Sequence, residues 1–185
     1  YPDKENFGRK SITISTEDLI KSIKFQLINF VAVAKSEDVK IHHIKPHGAL
    51  YNNVAKDFRL AEVFLHSIEK YKNEAYLYVP YASVVSKLAV DQGFNIKNEV
   101  FADRNYNDDY SLVSRKLPNA VISSKEKVVA HVLKMVNENK IIVESGTELP
   151  VIAETLCLHG DNPNALEIIK YLNIELPKPN ITIQK

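Results

Sequence analysis

The stretch His43-Ile44-Lys45-Pro46-His47-Gly48-Ala49-Leu50-Tyr51-Asn52 runs from an apolar segment straight into a turn rich in titratable side chains. Residues 39–44 carry β-branched side chains at alternate positions, which is typical of a strand. Pro46 and Gly48 then interrupt the strand pattern, so a turn follows. The side chains expected at the carboxyl end of this strand are Lys45, His47, Tyr51 and Asn52.

Two later stretches repeat this arrangement with different chemistry. Residues 95–101 predict a strand that leads into Asp103, and residues 151–158 predict a strand that leads into His159. Further strands are predicted over 75–79 and 140–145. Helical spacing of apolar residues separates the strands, over about 15–35, 60–71, 83–92, 123–136 and beyond Asn162. This spacing predicts that Phe30 and Ile169 face inward, and Ser123 with Glu126 predicts a capping box.

Alternation of strands and helices predicts parallel strands joined by helical crossovers, in a layered α/β sheet or a barrel. In both architectures active sites form at the carboxyl ends of the strands, where the three polar turns are expected. With 185 residues the chain is predicted to form a single domain over 1–185.

Composition narrows the classes of partner. With 24 basic and 23 acidic residues the net charge is +1, so nothing favours binding to nucleic acid or to an anionic membrane. No apolar run reaches membrane-spanning length. A single cysteine, Cys157, fits a reducing compartment and predicts a cytoplasmic protein. Because Tyr1 opens a polar loop rather than an initiating element, we expect further residues before it.

His47 and His159 each precede a glycine just after a predicted strand. Such histidines act as structural hydrogen-bonding residues, as general bases or as metal ligands. The candidate metal ligands are His47, His159 and Asp161. A hydrolytic metal site needs three protein ligands and an open position, and no tight motif such as His-Glu-x-x-His is present.

The acidic turn contains Asp103, Arg104, Asp108 and Asp109, interleaved with Asn105, Tyr106 and Asn107. It is either a solvated turn with a surface ion pair or part of a cleft. In a cleft, paired carboxylates suit acid and base roles, and an arginine clamps a carboxylate or phosphate. Lys45 could attract the same anion as a point charge, and the His159-Gly160-Asp161 turn could do so at the start of a helix.

Together these stretches resemble the LamB/YcsF family, over nearly the whole chain and in the same order. The residues that carry the resemblance are Lys45-Pro46-His47-Gly48-Ala49-Leu50-Tyr51-Asn52, Phe101-Ala102-Asp103-Arg104 with Tyr106-Asn107-Asp108-Asp109, Leu112-Val113, Arg115, Pro118, Ala120-Val121-Ile122, Cys157, His159-Gly160-Asp161 and Pro163, and near the start Tyr1-Pro2-Asp3 with Phe7-Gly8-Arg9.

This resemblance implies a seven-stranded β/α barrel related to polysaccharide deacetylases, incomplete here because the family's N-terminal region is expected before Tyr1. It implies ATP-dependent opening of 5-oxo-L-proline to L-glutamate, with ATP and Mg²⁺ as co-substrate and with subunits B and C of 5-oxoprolinase as partners. No P-loop is present, so no motif predicts how ATP binds. Tyr110 also departs from the family, which commonly has Gly there.

On this interpretation the predicted catalytic residues are His47, Asp103, Asp108, Asp109, His159 and Asp161. The predicted substrate- and ATP-binding residues are Lys45, Tyr51, Asn52, Arg104, Tyr106, Asn107 and Gly160. Two alternatives stay open at this point. One is a metal-dependent amide hydrolase or deacetylase, and the other is a non-catalytic subunit that binds a lactam or a sugar.

Overall fold

A computed structural model of the chain describes residues 1–178 and 181–183. The chain divides into two compact units, Tyr1–Asn98 and Glu99–Lys185. The single domain over 1–185 stays a prediction. Both units combine helices with parallel strand pairs, so the predicted α/β class is confirmed.

Four α-helices belong to the first unit, and the first of them differs from its prediction. The helices are α1 Thr16–Ser36, α2 Ala49–Val54, α3 Phe58–Ile68 and α4 Val84–Asp91, with a 3-10 turn at Glu69–Tyr71. Ser15 caps α1 by accepting a hydrogen bond from the amide of Asp18. Leu19 and Ile23 on α1 are buried, but Phe30, which its spacing predicts to face inward, is 61% exposed. The buried residues of α1 therefore lie in its first half, although apolar residues continue at helical spacing to about residue 35.

The first strand of the first unit is much shorter than predicted, whereas the second has its predicted length. Strand β1 covers only His43–Ile44 and pairs in parallel with β2, Tyr76–Pro80. Leu77 on β2 also donates its amide to the carbonyl of Asn95, 2.8 Å away, just before β3, Ile96–Phe101, begins. Leu77 and Val79 are buried with the core-facing residues of α3 and α4, Ala61, Leu65, Ile68, Val85 and Ala89.

The second unit contains the end of β3, helices α5 Lys125–Asn137 and α6 Ala165–Glu175, and strands β4 Lys140–Ile142, β5 Glu148–Pro150 and β6 Thr155–Cys157. Strand β6 pairs in parallel with β3. Strands β4 and β5 form an antiparallel hairpin, whereas the sequence predicts one strand to 145 and a second from 151. Gly146, with φ +84°, lies in the connection that reverses the chain.

Two helices in the second unit also differ from the sequence pattern. Helix α5 is capped by Ser124, one residue after the Ser123 of the predicted capping box. Ile169 on α6, which is predicted to face inward, is largely exposed, whereas Ile168 and Leu172 are buried. In the part of the chain that the structure describes, no helix has the length and apolar character needed to cross a membrane.

Candidate active site

Parallel pairing brings Asp103 and His159 together in the second unit. Phe101, the last residue of β3, lies opposite Cys157, the last residue of β6, and the amide of Ala102 donates to the Cys157 carbonyl. Asp103 and His159 therefore both lie two residues beyond paired strand ends. Nδ1 of His159 is 2.8 Å from Oδ1 of Asp103.

The carboxylate of Asp103 is buried and receives several hydrogen bonds. Oδ2 accepts from the side-chain amide of Asn162 at 3.1 Å and from the backbone amide of His159 at 3.4 Å. Burial raises the pKa of Asp103, but these hydrogen bonds and the charge of His159 lower it more, so its pKa lies below the ordinary value. Asp103 is therefore ionised at neutral pH.

An ionised Asp103 determines the tautomer of His159. The carboxylate accepts a hydrogen from Nδ1, which leaves Nε2 of a neutral imidazole as a proton acceptor. Nε2 makes no hydrogen bond to any residue that the structure describes, and the side chain is 21% exposed. The ring stacks on Phe101 with centroids 5.1 Å apart. This pair has the geometry of an imidazole base held and oriented by a carboxylate.

Arg104, predicted to bind an anion, holds the loop that follows Asp103. It is 5% exposed, and its Nε donates to the carbonyl of Ala120 at 2.9 Å and its Nη2 to that of Val113 at 2.5 Å. These contacts give Arg104 a structural function. Its role in anion binding stays a prediction.

Tyr106 and Asn107 also make contacts within this loop. The buried hydroxyl of Tyr106 accepts a hydrogen bond of 2.7 Å from the amide of Phe101, and burial raises the pKa of Tyr106 far above its ordinary range. The side-chain amide of Asn107 donates to the hydroxyl of Ser111 and the carbonyl of Leu112. Both residues thus shape the turn that carries Asp103, and their predicted ligand-binding roles stay predictions.

The remaining acidic candidates have partners other than His159. Asp108 accepts a hydrogen bond from the hydroxyl of Ser145, and Asp109 accepts one from the amide of Ser111. Asp161 forms an ion pair with Arg115 at 3.2 Å. Around Gly160 the space is open, because a Cβ there would meet no atom within 4 Å.

His131 is a residue that sequence reasoning did not select. It lies on α5 at the edge of its buried face, and its ring centroid is 6.3 Å from that of Tyr106. Burial lowers its pKa, against the opposing effect of the backbone of Phe101 and Arg104 and the charge of Asp103. Its Nε2 is buried without a hydrogen-bond partner among the described residues. The sequence contained one signal for His131, because it adjoins Val132, which faces the core.

In the first unit, His47 joins the strand-end turn to the N-terminal loop. Its Nε2 lies 3.1 Å from the carbonyl of Phe7, and the two rings meet edge to face. The amide of Ala49 donates to the carbonyl of Gly8 at 2.9 Å. Gly48 has φ +65°, and a Cβ there would lie 2.4 Å from the same Gly8 oxygen. We call these contacts the N-terminal clasp.

The other candidates of the first unit lie beside the clasp. Nζ of Lys45 is 5.3 Å from the ring centroid of the buried Tyr51, a cation–π distance. Asn52 on α2 donates its side-chain amide to the Gly48 carbonyl. The sequence predicts a turn here, whereas residues from Ala49 onward form the short helix α2. Ligand contacts for these residues, and a catalytic role for His47, stay predictions.

The first unit also has an aromatic surface that the site prediction missed. His43 stacks on Tyr78 with centroids 4.0 Å apart and the rings nearly parallel, and Lys97 lies over the ring of Tyr76 at 5.3 Å. His43 and Tyr76 are paired in register. Alternation along β2 was the available signal, because Tyr76 and Tyr78 must share the face opposite to the buried Leu77 and Val79.

A metal site requires several ligand side chains close together. Among residues 1–178 and 181–183, no three His, Cys, Asp or Glu side chains lie together in a group that could hold a metal ion. The described residues therefore provide no three-ligand set for the metal candidates His47, His159 and Asp161.

The fold and the Asp103–His159 pair define an α/β protein with a hydrogen-bonded carboxylate–imidazole pair at the ends of parallel strands. The chain belongs to the LamB/YcsF family, whose model matches residues 1–185. It is 39% identical over 183 residues to the A subunit of 5-oxoprolinase from Oceanobacillus iheyensis, covering 99% of this chain and 71% of that protein. It is 36% identical to the protein of that name from Coprothermobacter proteolyticus, covering 99% and 70%.

A solved structure agrees with these relatives. The crystal structure of a lactam utilization protein from Thermus thermophilus matches with a TM-score of 0.90 and 29% sequence identity. The match covers 100% of this chain and 73% of that one. The family resemblance drawn from the motifs is thus confirmed.

Proposed function

We propose that this chain is the A subunit of a 5-oxoprolinase, a hydrolase that opens the cyclic amide of 5-oxo-L-proline to give L-glutamate. The names of the relatives support this assignment, as does the lactam utilization protein of the same fold. The observation that carries it is the Asp103–His159 pair. Hydrolysis of an amide requires a base for water, and this pair has the arrangement of one.

In the proposed reaction, Nε2 of His159 accepts a proton from the attacking water as the new C–O bond forms at the lactam carbon. Asp103 holds Nδ1–H and stabilises the imidazolium that results. The imidazolium then returns the proton to the ring nitrogen as the C–N bond breaks. The product has a free amine and a second carboxylate, as glutamate does.

The proposal includes ATP, because an unstrained five-membered lactam resists direct attack by water. Transfer of a phosphoryl group from ATP to the amide oxygen, with release of ADP, would make the ring carbon electrophilic, and Mg²⁺ bound to ATP would offset the developing charge. Attack of water and cleavage of the C–N bond then leave an acyl phosphate, which a second water hydrolyses to the carboxylate and inorganic phosphate. In this proposal the reaction proceeds in the cytoplasm in a complex with subunits B and C, an assembly that the naming of the relatives as A subunits supports. Lys45 and Arg104 are the proposed anion-binding cations.

We also propose that the parallel strand pairs β1–β2 and β3–β6 are parts of a seven-stranded β/α barrel related to polysaccharide deacetylases. Within each pair the strands are parallel and are joined by a crossover that contains helices, as such a barrel requires.

The test is coupled release of glutamate and ADP by the complete protein with its B and C partners, ATP, Mg²⁺ and 5-oxoproline, with each component omitted in turn. We expect release to require every component and to disappear in a His159→Gln variant. Glutamate release that needs no ATP and stops with a chelator would favour a metal-dependent amide hydrolase. Binding without turnover in every mixture would favour a non-catalytic subunit.

A further inference from the structure

Two arginines, Arg104 and Arg115, belong to the segment that follows Asp103. Burial, together with the positive charge of Arg115, lowers the pKa of Arg104, while the charges of Asp103 and Asp161 oppose that effect. Arg104 is fixed because its Nε and Nη2 donate to the carbonyls of Ala120 and Val113. A protein that holds two like charges close together gains from an anion that binds between or beside them.

Most N–H donors of the Arg115 guanidinium are available to a ligand. A guanidinium carries five N–H donors in a planar fork, and Arg115 donates from Nη1 to Oδ2 of Asp161 at 3.2 Å. It makes no other hydrogen bond to a residue that the structure describes. Both side chains of this ion pair are 37% exposed. Exposed pairs with one contact contribute little to stability, so an incoming carboxylate competes with Asp161 at low cost.

Arg115 is connected to the proposed base His159 through its ion pair with Asp161. Arg115 lies in the loop between Val113 and Ala120, whose carbonyls Arg104 holds. Its partner Asp161 is separated from His159 by Gly160 alone, where the space is open. The ion pair with Asp161 thus holds the guanidinium of Arg115 at a residue two positions after His159, the proposed base.

We propose that Arg115 determines substrate specificity by binding the carboxylate of 5-oxoproline, which replaces Asp161 as its hydrogen-bond partner. This inference rests on the proposed function. A guanidinium fork matches a carboxylate with two parallel hydrogen bonds, whereas the contact with Asp161 uses one. The lactam without a carboxylate, 2-pyrrolidinone, would lack this contact and leave the Arg115–Asp161 pair intact.

The experiment compares 5-oxo-L-proline with 2-pyrrolidinone in the assembled complex. We expect the wild type to prefer 5-oxoproline, and Arg115→Gln to reduce the ratio of the two kcat/KM values by about 10- to 100-fold, mainly through KM. Arg115→Lys keeps the charge without the fork and should fall between the two. Arg59→Gln, which removes an exposed arginine on α3, is the matched control. An unchanged ratio in Arg115→Gln overturns the proposal.

Binding measured by calorimetry separates this inference from the proposed function. Dissociation constants for both lactams do not depend on turnover, so the comparison stands even if no glutamate forms. Arg115→Gln should weaken binding of 5-oxoproline and leave binding of 2-pyrrolidinone nearly equal to that of the wild type. Asp161→Asn should strengthen binding of 5-oxoproline because a competing carboxylate is gone. Weaker binding in Asp161→Asn would overturn the exchange of partners.

Discussion

Nδ1 of His159 lies 2.8 Å from a carboxylate oxygen of Asp103, although 56 positions separate the two residues in the chain. The contact depends on the register of β3 and β6, which ends both strands at the same level. A shift of one residue would turn the side chains of the displaced strand to the other face of the pair. The geometry of the site is thus determined by strand pairing before any ligand binds.

Asp103→Asn should nearly abolish turnover. An asparagine amide can face Nδ1 as a donor, which favours the tautomer with the proton on Nε2 and removes the base. We expect kcat to fall by about 10³- to 10⁴-fold, with the tautomer of His159 read directly from its ¹⁵N chemical shifts. Asp91→Asn is the comparison, because Asp91 is an exposed carboxylate at the end of α4. An equal loss in both variants would contradict a special role for Asp103.

Tyr106→Phe should destabilise the second unit. The variant keeps the ring but removes the hydroxyl that accepts from the amide of Phe101, which leaves a buried N–H without its partner. The expected cost is about 1–3 kcal/mol in the free energy of unfolding, measured with urea. Tyr110→Phe is the control, since its hydroxyl donates to the exposed carbonyl of Pro150. That change should stay within about 0.5 kcal/mol.

His131→Gln should flatten the dependence of stability on pH. Burial lowers the pKa of His131 in the folded protein, whereas in the unfolded chain it is about 6.5. Below about pH 6.5 the unfolded state therefore binds more protons at this position. Above that pH, neutral His131 makes its full contribution to the free energy of unfolding. This contribution is lost as the pH falls towards the pKa that His131 has in the folded protein.

Urea unfolding of the wild type and His131→Gln between pH 5 and 8 checks this expectation. The free energy of unfolding of the variant, relative to that of the wild type, should rise as the pH is lowered. His66→Gln removes an exposed histidine on α3 and is measured in parallel for comparison. A difference for His131→Gln that does not change with pH would show that the folded protein binds a proton there as readily as the unfolded chain.

Gly48→Ala should cost more than Gly146→Ala. Both glycines have positive φ, +65° and +84°, so both variants bear backbone strain. Only at Gly48 would the new Cβ collide with the carbonyl oxygen of Gly8, at 2.4 Å, whereas nothing lies within 4 Å at Gly146. We expect the difference in unfolding free energy to be about 1–3 kcal/mol. Equal costs would mean that the N-terminal clasp adapts without strain.

Sequence reasoning located the three polar turns because strand ends are local features. A β-branched segment, a following proline or glycine and a cluster of titratable residues are all contained within about ten positions. It also ranked His159 and Asp103 among the candidates. It could not pair them, because the register of two strands separated by more than about 50 residues is not encoded in either segment alone.

The roles of single side chains were harder to predict than their positions. The guanidinium of Arg104 can donate equally well to an anion or to backbone carbonyls. Which of them it contacts depends on the path of residues 105–122, which brings the carbonyls of Val113 and Ala120 to it. His131 was overlooked because it adjoins the apolar face of α5, where apolar spacing alone indicates packing. Phe30 shows the reverse error, since helical periodicity predicts which face is apolar but not what covers it.

The sequence separation of Asp103 and His159 has a consequence for biosynthesis. A ribosome that adds about 5–20 residues per second needs roughly 3 to 11 seconds to extend the chain from one to the other. During that interval the carboxylate of Asp103 has neither the imidazole nor the amide of Asn162 as a partner. It must remain hydrated, because enclosing an unpartnered carboxylate is too costly. The native surroundings of Asp103 can therefore form only after β6 and the turn beyond it have left the exit tunnel.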